Sequence, residues 1–370
     1  METDSFYKLL IKEILNNISN QYYDNYDYYR FGVKKTTWKQ KVKNAIKKKY
    51  NLTSLNHIYD KGAFIWLFPY LDGLMNLYEI LSDENSKKLL IKLITYRILG
   101  NEKYKLPLST PDYWKGIAEL DKLRNPDDKL LVKFPGSDIY IYKFNLNQVG
   151  IPMEIYYSAK GIYDNIKIKQ YEYEQDNILI KVEKEDIVLD CGACWGDTAL
   201  FFANDLETNG HVYSFEFIPG NIHVFEQNMN INPDLKKRIT IIPYPLDEKS
   251  GNELFYSDNG PASKVSSLSF PEAQKVETIN IYDAVDKYQL KKVDFIKMDI
   301  EGSELPALKG GINAITKYRP KLAISIYHSM DDFVNIAQYL KSLNLGYDFY
   351  LKHGTIHHEE TVLLAIASNK

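Results

Sequence analysis

The stretch DIVLDCGACWGDTALFF, residues 186–202, leaves few options for the chain around it. Ile187, Val188 and Leu189 form a short continuous apolar run, the pattern of a parallel strand covered on both faces, and Asp190 ends it. Gly192 and Gly196 follow at once, where a backbone turns sharply and approaches a ligand. Asp197 or Thr198 is placed to cap the helix that carries Ala199, Leu200, Phe201 and Phe202. Strand, glycine loop and helix in this order make a nucleotide-type site. The spacing narrows the nucleotide. A dinucleotide fingerprint needs G-x-G-x-x-G, whereas this loop reads D-x-G-x-x-x-G with Cys194 where a middle glycine is expected. A pyrophosphate cradle, and with it a nicotinamide oxidoreductase, is therefore disfavoured.

Two further stretches add to the pattern. Glu216 closes the next apolar strand, HVYSFEF (211–217), at about the distance onward at which an acid meets ribose hydroxyls. DFIKMDIEGSELPALKG (294–310) is an apolar strand ending in Asp299, then an acidic glycine-containing turn, then a helix stopped by Gly310 and Gly311. Together with DCGACWGDT (190–198), FEFIPGN (215–221) and ETVLLA (360–365), these residues closely resemble the FkbM family of S-adenosylmethionine-dependent methyltransferases, over roughly residues 170–370. The resemblance implies S-adenosylmethionine as cofactor, with a methionine carboxylate that needs less room at the helix N-terminus than two phosphates. The cofactor half of the site is then expected from Asp190, Gly192, Ala193, Cys194, Gly196, Asp197 and Thr198 in the loop. Glu216 and Phe217 follow the second strand, Leu246 and Asp247 reach adenine after the third, and Asp299 ends the fourth.

From residue 186 onward strands and helices alternate, with strands expected at 186–190, 211–216, 239–244, 294–299, 321–327, 346–352 and 360–367. The last two leave no room for a crossover helix and must form a hairpin, which puts one antiparallel strand in the sheet. The fold class is thus α/β, a seven-stranded, mostly parallel, Rossmann-like sheet of the class I methyltransferase layout that the resemblance implies. An extra strand pair, near 252–257 and 276–281, flanks the polar loop NGPASKVSSLS (259–269), whose Ser266 and Ser267 are expected to meet a substrate.

Ahead of this domain, residues 1–125 read as a helical N-terminal domain separate from the site, and residues 126–185 as a β-rich connector and cofactor lid. Leu9, Leu10, Ile14 and Ile18 share one helical face, Leu89, Leu90, Leu93, Ile94 and Ile98 another, and Thr110-Pro111 starts a third helix. LLVKF (130–134), DIYIYKFNL (138–146) and NILIKV (177–182) read as short strands. The resemblance makes Tyr171 and Tyr173 lid candidates over the cofactor. Arg30 to Lys49 is strongly basic, and the first 120 residues carry about +6 against about −9 for the rest of a chain whose formal net charge is −3. A solvated helix face accounts for it; docking on an anionic membrane surface, glycan or carrier is the alternative, and no nucleic-acid motif accompanies the lysines.

The longest apolar run, Ala63 to Leu71, is too short to cross a bilayer, and no signal peptide is evident, so a cytoplasmic enzyme is expected. The two cysteines, Cys191 and Cys194, stand C-x-x-C, but both lie inside the glycine loop, where small side chains admit a cofactor, and neither a redox nor a metal pair is expected.

Methyl transfer to a hydroxyl needs alignment and a proton acceptor. Asp299 and His328, at the ends of the fourth and fifth strands, are the expected catalytic residues, with His328 the better base; Glu301 and His328 are also expected to touch the substrate. Glu304 reads as a first-turn helix acid. His353, His357, His358, Glu359 and Glu360 cluster in the final turn and, with Asp299 and Glu301, are compatible with a divalent ion, but H-x-x-x-H-H in a turn lacks the one-face geometry of a helical metal motif and no metal is expected. The function that follows is O-methylation of a hydroxyl on a sugar, glycan precursor or related metabolite, the acceptor class being implied by the resemblance alone. N-methylation of a glycan substituent and a non-catalytic, cofactor-binding assembly subunit are the alternatives.

Overall fold

The computed structural model describes residues 2–32, 67–134 and 137–368. The amphipathic register of the N-terminal segment makes α1 (Glu2–Asn17) a helix with Phe6, Leu10 and Ile14 buried on one face, and a single turn, α2 (Tyr28–Phe31), follows. Next come α3 (Leu71–Ile80), α4 (Glu84–Leu99) and α5 (Pro111–Asp121). A three-stranded antiparallel sheet is built from β1 (Arg124–Phe134), β2 (Ser137–Asn145) and β3 (Glu154–Tyr157), and a small hairpin from β4 (Tyr173–Gln175) and β5 (Ile178–Ile180).

The large sheet follows. Its parallel strands β6 (Ile187–Cys191), β7 (His211–Phe215), β8 (Ile239–Ile242), β12 (Phe295–Met298) and β13 (Lys321–Ser325) are short, and the central β6, β12 and β13 are almost wholly buried, as strands covered on both faces must be. Between β8 and β12 the chain forms a small sheet of β9 (Glu253–Tyr256), β10 (Val265–Ser266) and β11 (Gln274–Glu277). The sheet ends with β14 (Tyr347–His353) and β15 (Thr361–Ala367), and its order is β14-β15-β13-β12-β6-β7-β8. Only β15 runs against its neighbours, pairing antiparallel with both β13 and β14. Each expected strand of this sheet is present within a residue or two of its expected ends.

The chain leaves β6 toward β7 on one side and reaches β12 on the other, so the sheet changes direction between β6 and β12, and a crevice opens at their carboxyl ends. Gly192 sits at that point with φ +85°, and a Cβ there would fall onto the carbonyl oxygen of Asp299. Gly196, at φ +81°, is the residue from which helix α6 (Asp197–Asp205) departs, and a Cβ there would meet the ring of Phe225. Both glycines are therefore required by backbone conformation and by contact.

The described residues ahead of 126 pack onto the sheet-bearing region. Phe6, Leu74, Leu77, Leu90 and Ile94 share one continuous core with Ile296, Phe333 and Phe349 of the sheet-bearing region. Residues 81–86 also line the sheet's edge: Ser82 N donates to Phe349 O (2.8 Å), Ser82 Oγ accepts from Phe349 N (3.0 Å), and Ser86 Oγ accepts from Leu351 N (2.9 Å). The N-terminal helices cover an edge strand that would otherwise present unpaired backbone groups. The basic run from Arg30 lies, beyond Gly32, outside the described residues. Among the described residues no helix is long and apolar enough to cross a membrane.

Candidate active site

Two cavities meet at the carboxyl end of β6 and β12, sharing Gly192, Cys194, Pro261, Asp299 and Glu301. The first is lined by Glu216, Phe217, Ile218, Tyr244, Leu246 and Val265 among others. The second is lined by Arg30, Tyr157, Asn165, Tyr171, Asp197, Thr198, Lys297, Tyr327 and Glu360.

Glu216 ends β7 with its carboxylate held under the first cavity. Its Oε1 accepts from Phe217 N (2.7 Å) and Ile218 N (2.8 Å), and its Oε2 from Asn221 Nδ2 (3.2 Å). Burial outweighs these donors and raises its pKa to about 7. Leu246 and Phe217 supply apolar walls. Asp247 does not face this cavity: its oxygens accept from Glu248 N (2.7 Å) and Asn252 Nδ2 (2.9 Å), which closes the turn after β8 instead. Ser266 Oγ bonds within its own loop, to Leu268 N and O, and neither Ser266 nor Ser267 lines a cavity. The loop's Gly260, Pro261, Ser263 and Val265 do, mostly over the first cavity, so this segment closes on the side of Glu216.

Asp190 departs from expectation in an informative way. It is fully buried behind the loop and lines neither cavity. Its Oδ1 lies 3.1 Å from Lys297 Nζ, and its Oδ2 accepts from Thr198 Oγ1 (3.0 Å). Lys297, 2% exposed, also donates to Gly192 O (2.6 Å). The pair fastens strand β12 to the loop and to helix α6, and Asp190 keeps Lys297 charged against the burial that opposes it. Ala193 is buried with its N–H on Phe215 O (3.0 Å), and Gly196 shapes the loop without lining either cavity. The helix cap is Gly196, not Asp197 or Thr198; Asp197 instead accepts from Asn165 Nδ2 (2.6 Å) at the wall of the second cavity. Cys194 faces both cavities as a thiol, since burial, with Glu216 beside it, lifts its pKa well above the ordinary value.

The second cavity is ringed by acids and tyrosines. Asp299 Oδ2 accepts from Tyr171 OH (2.8 Å), and Asp299 Oδ1 faces Tyr327 OH (3.3 Å) and His328 Nε2 (3.3 Å). His328 is enclosed by carboxylates, with Glu301 Oε2 3.7 Å from Nε2 and Glu304 Oε1 3.1 Å from Nδ1. Burial alone would lower its pKa, but Glu304, Asp299 and Glu301 together raise it to about 9. A ring that carries its proton at neutral pH does not suit the expected role of free base. Glu304 behaves as a first-turn acid, accepting from Ile300 N (2.8 Å), while also reaching His328.

Glu360 is the residue that sequence reasoning placed in a turn and left out of the site. Its Oε2 accepts from Gln170 Nε2 (2.7 Å), its carboxylate lines the second cavity, and burial with Asp299 nearby raises its pKa to about 7. Its backbone is left-handed, φ +64°, as are those of Cys194 (+48°) and Glu301 (+59°), so three strained non-glycine residues border one cavity. The histidines near it do not form the ion site considered from the sequence. His353 Nδ1 is 3.0 Å from Thr361 Oγ1, His357 Nε2 is 3.4 Å from Asp27 Oδ2, and Glu359 pairs with Arg30 (2.7 Å). These contacts dock α2 onto the final turn and set Arg30 in the cavity wall, so the N-terminal segment is part of the site. Of the two lid candidates Tyr171 is in the cavity, whereas Tyr173 bonds Asp83 and packs on the Tyr350 ring. Lys297 had one signal in the sequence, a lysine in the middle of an otherwise apolar buried strand, which must find a partner.

The family model described as "Methyltransferase FkbM domain" matches residues 190–349. A hexuronic acid methyltransferase of Haloferax volcanii is 27% identical over 164 residues, 43% of this chain and 65% of that protein, so the chain spans about two thirds of that relative's length. The crystal structure of a methyltransferase FkbM from Methylobacillus flagellatus superposes with a TM-score of 0.54 at 18% identity, covering 89% of this chain and 71% of that one. That structure shares the fold. The match to that family model spans the glycine loop, Glu216 and Asp299.

Proposed function

We propose that the chain is an S-adenosylmethionine-dependent methyltransferase that methylates a hydroxyl of a sugar, glycan precursor or related metabolite. The observation that carries this reading is the pair of cavities joined at Gly192, Cys194 and Asp299. Beyond the shared Asp299 and Glu301, one has mostly apolar walls and one further carboxylate, Glu216, suited to a ribose; the other is polar and acid-rich, suited to a hydroxylated acceptor. The fit to the cofactor rests on the glycine cradle that a Cβ at Gly192 would close and on Glu216 at the end of β7.

Bound S-adenosylmethionine would supply an electrophilic methyl group; Glu216 would hold its ribose, and Phe217 and Leu246 would face adenine. Asp299, fixed by Tyr171 and Tyr327, orients the acceptor, and Glu360 takes its proton: Oε2 is occupied by Gln170, and Oε1 has no hydrogen-bond partner among the described residues. Arg30 at the wall is the group that would meet an acceptor carboxylate, in keeping with the hexuronic acid named for the Haloferax relative. The excess of carboxylates in the wall supports a second reading, N-methylation of an amino substituent.

The test is calorimetric titration with S-adenosylmethionine, S-adenosylhomocysteine and NAD, followed by labelled methyl transfer to nucleotide-activated uronates, neutral sugars and amino sugars. Binding of the first two and not NAD, with label on a uronate or neutral sugar, is expected. Label on amino sugars alone would transfer the conclusion to the second reading, and absence of binding by both methionine derivatives would remove the enzyme reading.

A further inference from the structure

We infer that Asp299, Glu301 and His328 form a binding site for one divalent cation, with Glu304 as the carboxylate that orients the histidine. The side chains converge from two segments: the end of β12 with the turn that follows it, and the stretch after β13. One potential ligand atom each from Asp299, Glu304 and His328 lies within 4.8 Å of the others. His328 Nε2 faces Asp299 Oδ1 at 3.3 Å and Glu301 Oε2 at 3.7 Å, and Glu304 Oε1 lies on its other side, 3.1 Å from Nδ1.

That arrangement differs from an ordinary salt cluster. The His328 side chain is only 5% exposed, yet neither ring nitrogen meets hydrogen-bond geometry with a partner among the described residues. With Nε2 turned to two cavity-lining carboxylates but in hydrogen-bond geometry with neither, the ring leaves a position for a shared positive centre among them. Glu304, fully buried, has an Oε2 without a partner and an Oε1 facing Nδ1, which is how a metal-bound histidine is usually held: one nitrogen on the metal, the other on a carboxylate. Glu301 reaches the group with a left-handed backbone, φ +59°. Mixed imidazole and carboxylate ligation suits a first-row divalent ion or Mg²⁺, with the remaining positions open toward the second cavity. Resting on the methyltransferase reading, such an ion would meet the acceptor oxygen and make its proton easier to remove.

The experiment uses the full chain. Mn²⁺ is titrated and followed by electron paramagnetic resonance of the free ion, with competition by Mg²⁺ and Zn²⁺, while S-adenosylhomocysteine binding is measured separately by calorimetry. One Mn²⁺ per chain is expected, with affinity falling at least tenfold in His328→Gln and in Glu301→Gln. Glu301 is partly exposed, so the second variant remains informative if the first does not fold. No Mn²⁺ bound at millimolar concentration, or undiminished binding in both folded variants, overturns the site. Because cofactor binding is read independently, loss of the cation site leaves the methyltransferase reading standing, and failure to bind S-adenosylhomocysteine removes that reading without touching the Mn²⁺ result.

Discussion

A carboxylate that accepts two backbone N–H groups through one oxygen is usually strongly acidic, and Glu216 is not, because burial wins. The sign has two consequences. Its folded pKa, about 7, lies above the ordinary 4.5, so between these values the folded state holds a proton that the unfolded state has lost. The group's contribution to stability is therefore present below pH 4.5 and lost as pH rises through 7. The ionised form is the better acceptor for ribose hydroxyls, so affinity for S-adenosylhomocysteine should strengthen from pH 6 to about 7 and then level off. Calorimetry across that range checks it, and a flat profile would refute the ribose assignment. Glu216→Ala should weaken the same binding by about 1 to 3 kcal/mol with the fold intact. Glu360→Gln should leave cofactor affinity unchanged and lower kcat by roughly 10²- to 10⁴-fold, since it keeps an oxygen for Gln170 but removes the proton acceptor. An unaltered kcat in labelled transfer to the best acceptor would remove Glu360 as the base and leave Asp299 as the candidate.

At the scale of elements, the glycine loop is held by a charge pair that crosses the sheet. Lys297 on β12 and Asp190 on β6 lie on adjacent parallel strands and directly opposite in register, and both are buried. Lys297→Met leaves Asp190 as an unpaired buried charge and should cost about 3 to 5 kcal/mol in denaturant unfolding, whereas Lys297→Met with Asp190→Leu should cost much less. A single variant within 1 kcal/mol of wild type would remove the pair from its role as a brace. This pair also shows where sequence reading stops. The strands were legible because short apolar runs buried on both faces leave a strong pattern, and Gly192, Glu216 and Asp299 because they stand at strand ends, where such sheets bind ligands. Whether an acid at a strand end faces the crevice or a neighbouring strand is a matter of register, and register is fixed by packing. That is why Asp190 turned inward to Lys297 and Asp247 into its own turn, and why Glu360 came into the site from a turn that the sequence left without a function.

On the scale of the whole molecule, the N-terminal helices do two things that a separable domain would not. They fill the core beside Phe333 and Phe349 and bond the exposed edge of β14, and through Arg30 they complete the second cavity. The first role concerns folding. A chain beginning at residue 126 would expose Phe333, Phe349 and the β14 edge together, an apolar surface beside unpaired backbone, which is a recipe for association. The expected outcome is aggregation or a non-cooperative thermal transition for that fragment, against a single cooperative transition for the full chain, read by light scattering and calorimetry. The second role is separable from the first. Arg30→Ala removes an exposed side chain and should leave the thermal midpoint within a few degrees, the effect of about 0.5 kcal/mol at the surface. It should nonetheless raise KM for a carboxylate-bearing acceptor about tenfold or more while leaving KM for a neutral sugar unchanged, because only the former forms a charge-assisted pair with the guanidinium. Equal KM changes for both acceptors would make Arg30 a tether of α2 to Glu359 and not a contact to substrate.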